Sequence, residues 1–422
     1  MMNIRFGNLF KGDKVVWMIL FLLCMISIVE VFSASSVLTY KSQNYFRPIT
    51  FHIFTIIIGV VVTIIMQHIS YRYFRAIIPF LLFFSATTLI WVWLAGTKVG
   101  DAGRWINLFG ITFQPSEIAK GTIVLAVAQI LAVLQREKGA DQNAFKIILW
   151  ITIPICILIG LENLSTAAML FTVVFLMMFF GRVPLKQLAK LVGSLILIVV
   201  FALSMIMLLG HDISDTENKL AKIEQVESYH EKSLIEKIFH RMGTWKSRIK
   251  EFGKPMPAPM DYDLDKNAQV AHANIAIVTS GFVGKGPGKS TERDFLAQAF
   301  SDFIFAIVIE ELGLLGAFAV TFLFIILLFR CGRIANRCEK MFPAFLVMGL
   351  GILLTLQAMF NMMVAVGLVP VTGQPLPLVS KGGTSTIINC AYIGVILSVS
   401  RSSKKKMVTE NGVESDKKEI KS

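Results

Sequence analysis

Glu117 and Lys120 stand three residues apart at the head of an apolar run, in the stretch "WINLFGITFQPSEIAK" that covers residues 105–120. Three-residue spacing on a helix brings two side chains to one face, so the two can pair. Either charge buried alone in hydrocarbon costs several kcal/mol. Pro115 and Ser116 suit a helix start, and Glu117 complements the positive end of that helix. The pair is either a structural salt bridge or one wall of a polar cavity. Arg104 and Trp105, in the adjoining loop, add a cation and an interfacial aromatic. Such a cluster is what an anionic phosphate headgroup needs.

A second group lies in "FSDFIFAIVIEELGLLG". Asp302 stands at the mouth of an apolar span, and Glu310 and Glu311 lie roughly 12 Å deeper at 1.5 Å per residue. At about 100° per residue neither glutamate shares the face of Asp302, so they do not form a carboxylate pair for acid/base work on one atom. The glutamates are expected to partner internal polar groups such as Lys120. Asp302, at the rim, is the candidate general base, with helix N-capping as its other use. A third group is "GLVPVTGQPLPLVSKGGTS", residues 367–385, whose three prolines and later glycines forbid a regular helix between two strong spans. Irregular backbone at membrane depth persists only where protein or a wet cavity satisfies it. Lys381 would bring a positive charge there; an ordinary loop is the alternative.

These residues need a membrane scaffold to position them. Of 422 residues, 55% are hydrophobic and 16% charged, against about 25% charged in a soluble domain. The fold class is an all-α polytopic membrane protein with about ten transmembrane helices. Apolar runs lie near 15–34, 50–67, 76–96, 117–135, 147–161, 165–181, 187–209, 302–329, 342–369 and 384–400, each long enough to approach a bilayer of roughly 30 Å. The fifth and sixth read as the shortest. Lys and Arg crowd the loops after the second, fourth, sixth and eighth spans, whereas the opposite short loops hold only Lys41, Arg47, Lys98, Arg104 and Lys381. This places both termini in the cytoplasm. The chain then divides into an N-terminal segment 1–14, spans one to seven over 15–209, a large outer loop 210–301, spans eight to ten over 302–400, and a basic tail 401–422. The first span reads as uncleaved, because its apolar run exceeds a signal-peptide core.

Within the large loop, Leu234, Ile235, Ile238, Phe239, Met242, Trp245, Ile249 and Phe252 recur at helical spacing among lysines and arginines. That pattern fits a basic amphipathic helix, lying on the membrane or packed on the protein. "GFVGKGPGKST" tempts a P-loop reading, but Val283 occupies the position that requires glycine. Its glycines are read instead as letting a loop lie close to something. The net charge of +13 is assigned to topology and to anionic lipid, since no nucleic-acid motif accompanies it. Five cysteines fall in spans or on the cytoplasmic side, so no disulfide framework is implied. Six scattered histidines give no metal-ligand spacing.

Taken together, the three charged stretches resemble the signature blocks of the SEDS family of bacterial cell-wall proteins, which has an FtsW-like division branch and a RodA-like elongation branch. "GRWINLFGITFQPSEIAK", "FSDFIFAIVIEELGLLG" and "NMMVAVGLVPVTGQPLPLVSKGGTS" occur in the family's order, and the ten-span layout with a large loop before span eight is similar too. The resemblance covers nearly the whole chain. It implies a peptidoglycan glycosyltransferase that polymerises lipid II at the outer face of the bacterial cytoplasmic membrane, working with a class B penicillin-binding protein and other division membrane proteins. It also implies that Asp302 is the catalytic aspartate. Arg104, Trp105, Glu117 and Lys120, then Asp294, then Ser380 and Lys381 are the residues expected around the substrate. The "RWINL" form with Asn107 and the segment "HRMGTWKSRIKEF" resemble the division branch more.

Departures are also visible. The family's Pro-Asp-Leu-Gly-Thr motif appears as Glu162-Asn163-Leu164-Ser165-Thr166, Lys381 replaces an aromatic, His272-Ala273 stand where Gln-Ser is common, and Phe300-Ser301 replace His-Thr. The expected reaction is attack of an acceptor hydroxyl on the anomeric carbon of a lipid-diphosphate donor, with Asp302 as base and Arg104, Lys120 and Lys381 around the diphosphate. No cofactor is encoded; a magnesium or manganese ion could bridge the diphosphate. The rival readings are a lipid II flippase or ion-coupled carrier, using the buried glutamates and Lys120, and a scaffold that recruits a polymerase.

Overall fold

Hydrocarbon offers no partner to a backbone amide, so each apolar run closes its own hydrogen bonds as a helix. The computed structural model describes residues 10–35, 47–95, 97–99, 102–108, 111–137, 139–209, 264–296 and 299–419. Its α-helices are α1 (Lys14–Ala34), α2 (Arg47–His68), α3 (Tyr71–Ala95), α4 (Pro115–Val133), α5 (Gln142–Glu162), α6 (Leu164–Phe180), α7 (Leu185–Leu209), α8 (Leu264–Ser280), α9 (Ile304–Asn336), α10 (Met341–Ala365) and α11 (Thr384–Glu419). All except α8 coincide with the ten expected spans. Among the described residues, α1 to α5, α9 and α10 are long and apolar enough to cross a bilayer, and the apolar α6 has 17 residues. The fifth span is longer than its apolar run suggests, because α5 begins at Gln142 behind an Asp141 cap. The expected amphipathic helix at 234–252 lies outside the described residues.

Most of α4 and α10 is buried, whereas α3 and α5 bury little more than a quarter of their spans. The first two form the centre and the others face outward. α10 packs on α4, α6, α9 and α11, and α2 packs along α11. Small residues permit that last approach. A Cβ at Gly59 would lie 2.7 Å from Cys390 Sγ, and the Thr63 hydroxyl donates across the interface to the Cys390 carbonyl at 2.8 Å. Such close contact drives helix association where apolar burial gives no advantage. Asp13 caps α1, accepting from Val15 N at 2.9 Å, and pairs with Arg330 of α9. Burial raises the Asp13 carboxyl, but the Arg330 pair and the helix amides outweigh it and hold the group below its ordinary value.

Before α4 the chain makes a small antiparallel sheet that the helical patterning does not announce. β1 (Thr97–Val99) pairs with β2 (Ala102–Leu108), and β2 with β3 (Ile111–Phe113). Trp105 stands opposite Thr97, and Ile106 opposite Phe113. A two-stranded ribbon, β4 (Gln135–Arg136) with β5 (Gly139–Ala140), joins α4 to α5.

The glycine-rich run that mimics a P-loop is a strap over a break in α9. Gly313 takes φ 68° and ψ −168° inside that helix, a region open to glycine alone. The break orphans the carbonyls of the preceding turn, and the strap meets them. Lys285 N donates to Glu310 O and Gly286 N to Glu311 O, both at 2.9 Å. A Cβ at Gly284 would lie 2.3 Å from Glu311 O, so this strand can run there only as glycine. The same strap captures the two carboxylates. Glu310 accepts from Lys285 Nζ at 2.6 Å, from the Ser290 hydroxyl and from Thr291 N at 3.0 Å. Glu311 accepts from Gly288 N at 2.8 Å, from Ser290 N at 3.2 Å and from Ser33 of α1. The anion-cradling backbone of a P-loop is thus present, and its anions are glutamates of the protein itself. The expected pairing of Glu310 and Glu311 with Lys120 is incorrect, because α9 turns both toward the strap.

Candidate active site

Asp302 lies in a turn that precedes α9 rather than in the helix. Phe303 holds the cap position, with no side-chain cap bond, so the capping alternative for Asp302 does not apply. The residue is half-buried, whereas Glu310 and Glu311 are fully buried. Asp302 Oδ1 accepts from the Ser301 hydroxyl at 3.1 Å, and its backbone carbonyl accepts from Asn361 Nδ2 at 2.8 Å.

The irregular run from Gly367 to Gly383 forms the rest of the site, and side chains from several helices satisfy its backbone. Asn361 Nδ2 also donates to Gln374 O at 2.8 Å, and Gln357 Nε2 donates to Pro375 O at 3.3 Å. Gln374 Nε2 reaches Thr166 Oγ1 at 3.2 Å. Ser380 accepts from Leu376 N at 2.8 Å and donates to Ser301 O at 2.6 Å. Lys381 N donates to Phe300 O at 2.9 Å. Two bonds therefore stitch Ser380 and Lys381 to the two residues before Asp302. Leu378, buried at φ 64°, is held in a conformation that costs a non-glycine residue about 1–3 kcal/mol. The surrounding network sustains that strain.

Glu117 and Lys120 do pair. Lys120 Nζ donates to Glu117 Oε1 and to Gln357 Oε1, both at 2.8 Å, and the two side chains are 3% and 1% exposed. Tyr392 of α11 donates to Glu117 O and accepts from Gly121 N at 3.1 Å. The pair is shut away from solvent inside the bundle, with Glu117 Oε2 left without a hydrogen-bond partner among the described residues. It reaches the Asp302 turn through Gln357 and Asn361, one turn apart on α10. Arg104 and Trp105 lie on β2, two strands before α4, and their side chains lie outside the described part. Asp294 ends a short 3-10 helix, Glu292–Asp294, and is exposed; beside it His272 Nδ1 lies 2.7 Å from Glu292 Oε2.

Lys381 is half-buried, with its ammonium 5.3 Å from the centre of the Phe300 ring. Burial holds its pKa below the ordinary lysine value. Two departures from the family pattern, Phe300 and Lys381, are thus in contact with each other. Sequence reasoning did not single out Gln357, Asn361 and Gln374. Their signal was a Gln and an Asn four residues apart within an apolar span, which places both amides on one face of α10.

The family of cell cycle proteins that groups FtsW, RodA and SpoVE matches residues 13–405. The chain belongs to this family. Among the FtsW relatives, the probable peptidoglycan glycosyltransferase FtsW of Geobacter sp. (strain M18) is 28% identical over 393 residues, 92% of this chain and 96% of that one. The protein of the same name from Nitrosomonas europaea is 30% identical over 354 residues, 82% of this chain and 80% of that one. A chain from a solved peptidoglycan synthase complex superposes with a TM-score of 0.68 at 22% identity, over 93% of this chain and 98% of that one. Thermus thermophilus RodA gives 0.61 at 21%, over 94% and 99%. These likenesses show the FtsW/RodA/SpoVE fold. Within that fold the divergent span-six motif has a visible task here. Asn163 caps α6, accepting from Ser165 N at 3.1 Å, and its Nδ2 donates to Thr372 O at 3.1 Å. With Thr166 it anchors the irregular run that carries Ser380 and Lys381.

Proposed function

We propose that this chain is a peptidoglycan glycosyltransferase that polymerises lipid II into glycan strands, in the manner of the FtsW branch and for the septum. The observation that carries the reading is the half-buried Asp302 beside an irregular segment bearing Ser380 and Lys381, both bonded to the turn that holds it. Asp302 takes the proton from an acceptor hydroxyl. The acceptor oxygen then bonds the anomeric carbon of the lipid-linked donor, and the bond from that carbon to the diphosphate oxygen breaks. The lipid diphosphate leaves with the electron pair, which needs little acid help, so one base suffices. Arg104 and Lys381 are the cations assigned to the diphosphate, with Trp105, Asp294 and Ser380 around the substrate, whereas Glu117 and Lys120, expected there as well, are paired and shut away inside the bundle. The closed Glu117–Lys120 pair supports a role for Lys120 through Gln357, as a positioning residue.

A magnesium or manganese ion, if used, would draw on phosphate oxygens and water beside Asp302; among the described residues no three His, Cys, Asp or Glu side chains converge. The membrane is read as the bacterial cytoplasmic membrane, with both termini inside, from the distribution of Lys and Arg. The partners are a class B penicillin-binding protein, other division membrane proteins and surrounding lipid. Ion-coupled transport is the weaker reading, because the strap saturates Glu310 and Glu311 with donors. The test is to incubate the purified protein, together with its penicillin-binding partner, with labelled lipid II. Glycan polymer is expected; none from the folded wild type would reject the reading.

A further inference from the structure

Between α2 and the start of α11 lies a cavity of about 180 Å3. Phe51, His52 and Thr55 of α2 form one wall; Phe300, Lys381 and the two glycines before α11 form the other. At about 30 Å3 per water the space matches roughly six waters, enough for a diphosphate and too small for a disaccharide. The Lys381 ammonium rests on the Phe300 ring, and among the described residues no carboxylate lines the cavity. A cation desolvated in this way, at the positive end of a long helix, favours an anion.

The opposite wall is fixed to the same segment. Ser27 of α1 donates to Val379 O at 2.6 Å. Its single proton is then committed, so the contact of 2.8 Å to His52 Nε2 is a donation from His52. His52 is thereby held, and the two bonds tie α1, α2 and the Lys381 segment together.

We propose that this cavity is a diphosphate subsite, which receives the diphosphate of a lipid-linked substrate while the sugars remain outside it. Lys381 is its cation and His52 a positioning residue. The assignment rests on the glycosyltransferase reading, yet its test is separable. Binding of radiolabelled inorganic diphosphate to the purified full-length protein is measured by equilibrium dialysis at a fixed excess of free magnesium. The KM for lipid II is measured in parallel.

Lys381→Met is expected to weaken diphosphate binding and raise KM, each by about tenfold. Lys381→Arg keeps both near wild type. His52→Leu weakens both, and His52→Gln, whose amide can still donate to Ser27, restores them. Unchanged binding in folded Lys381→Met, or none in wild type, overturns the subsite whatever the polymerase does. Binding that depends on Lys381 with an unchanged KM assigns the cavity to free diphosphate and overturns the substrate assignment. Binding that depends on Lys381 in a wild type that makes no polymer supports the subsite and overturns the glycosyltransferase reading instead.

Discussion

Two regions of this protein hold charge near the membrane in opposite ways. Where the strap crosses α9, and where Glu117 meets Lys120, the carboxylates are fully buried and their partners come from the protein. At the Asp302 turn, Asp302 and Lys381 are half-buried, and most of the bonds that fix the turn run to the backbone around them, with the Ser301 hydroxyl on the Asp302 carboxylate. The first arrangement is closed and holds helices together. The second fixes the main chain firmly and leaves the charged ends within reach of a ligand. A carboxylate of this family's chain is therefore not assigned a role by its depth in a span. Its role depends on whether it is shut off from a ligand or left partly exposed to one.

The largest expected effect breaks a closed pair. Lys120→Met leaves Glu117 buried without its cation, which should cost about 3–5 kcal/mol, read as a lowered Tm in detergent. Glu117→Gln/Lys120→Met should recover most of that loss. A double variant as unstable as the single one would mean that the pair is not the closed unit described here.

Gly313→Ala comes next. A Cβ there would lie 2.4 Å from Phe282 O, and the backbone conformation is closed to alanine, so a loss of roughly 3 kcal/mol is expected. Limited proteolysis between residues 281 and 292 should show the strap displaced. A strap that stays protected would show that the break in α9 does not seat it.

Glu310→Gln keeps the shape but removes the charge facing Lys285. The strap amides of residues 285–292 should exchange with deuterium faster, by about 2 kcal/mol or roughly thirtyfold. Asp302→Asn should leave that exchange unchanged, which separates the two regions in one experiment. Equal acceleration by both variants would merge them.

The smallest effect belongs to the open cation. Burial lowers the pKa of Lys381 below the ordinary lysine value, so its ammonium is lost earlier than that of a surface lysine as pH rises. The KM for lipid II should climb severalfold on the alkaline side, starting below pH 10.5, and Lys381→Arg should remove the climb because guanidinium stays charged. A profile identical in both proteins would take Lys381 out of substrate binding.

Hydropathy made the spans legible, and helical spacing made the Glu117–Lys120 contact legible, because both follow from local periodicity. The irregular run after α10 was readable from its prolines and glycines. What periodicity could not supply was the choice of partner. Glu310 and Glu311 find a strap some twenty residues upstream, and Lys120 finds Gln357 on a different helix, because tertiary packing decides which faces meet. The small sheet before α4 was hidden for a related reason. Its three-residue outer strands are too short for alternation to register, and β2 pairs with both of them only once the chain has turned back on itself.

The claim that Asp302 is the base is tested most directly by one substitution. Asp302→Asn is nearly isosteric, and the bonds that fix its turn run through the carbonyl of residue 302 and through Ser301, which the substitution leaves in place. Purified Asp302→Asn should keep the wild-type melting temperature, bind its penicillin-binding partner, and make no glycan from labelled lipid II. Polymer at close to the wild-type rate from that folded protein would contradict the account.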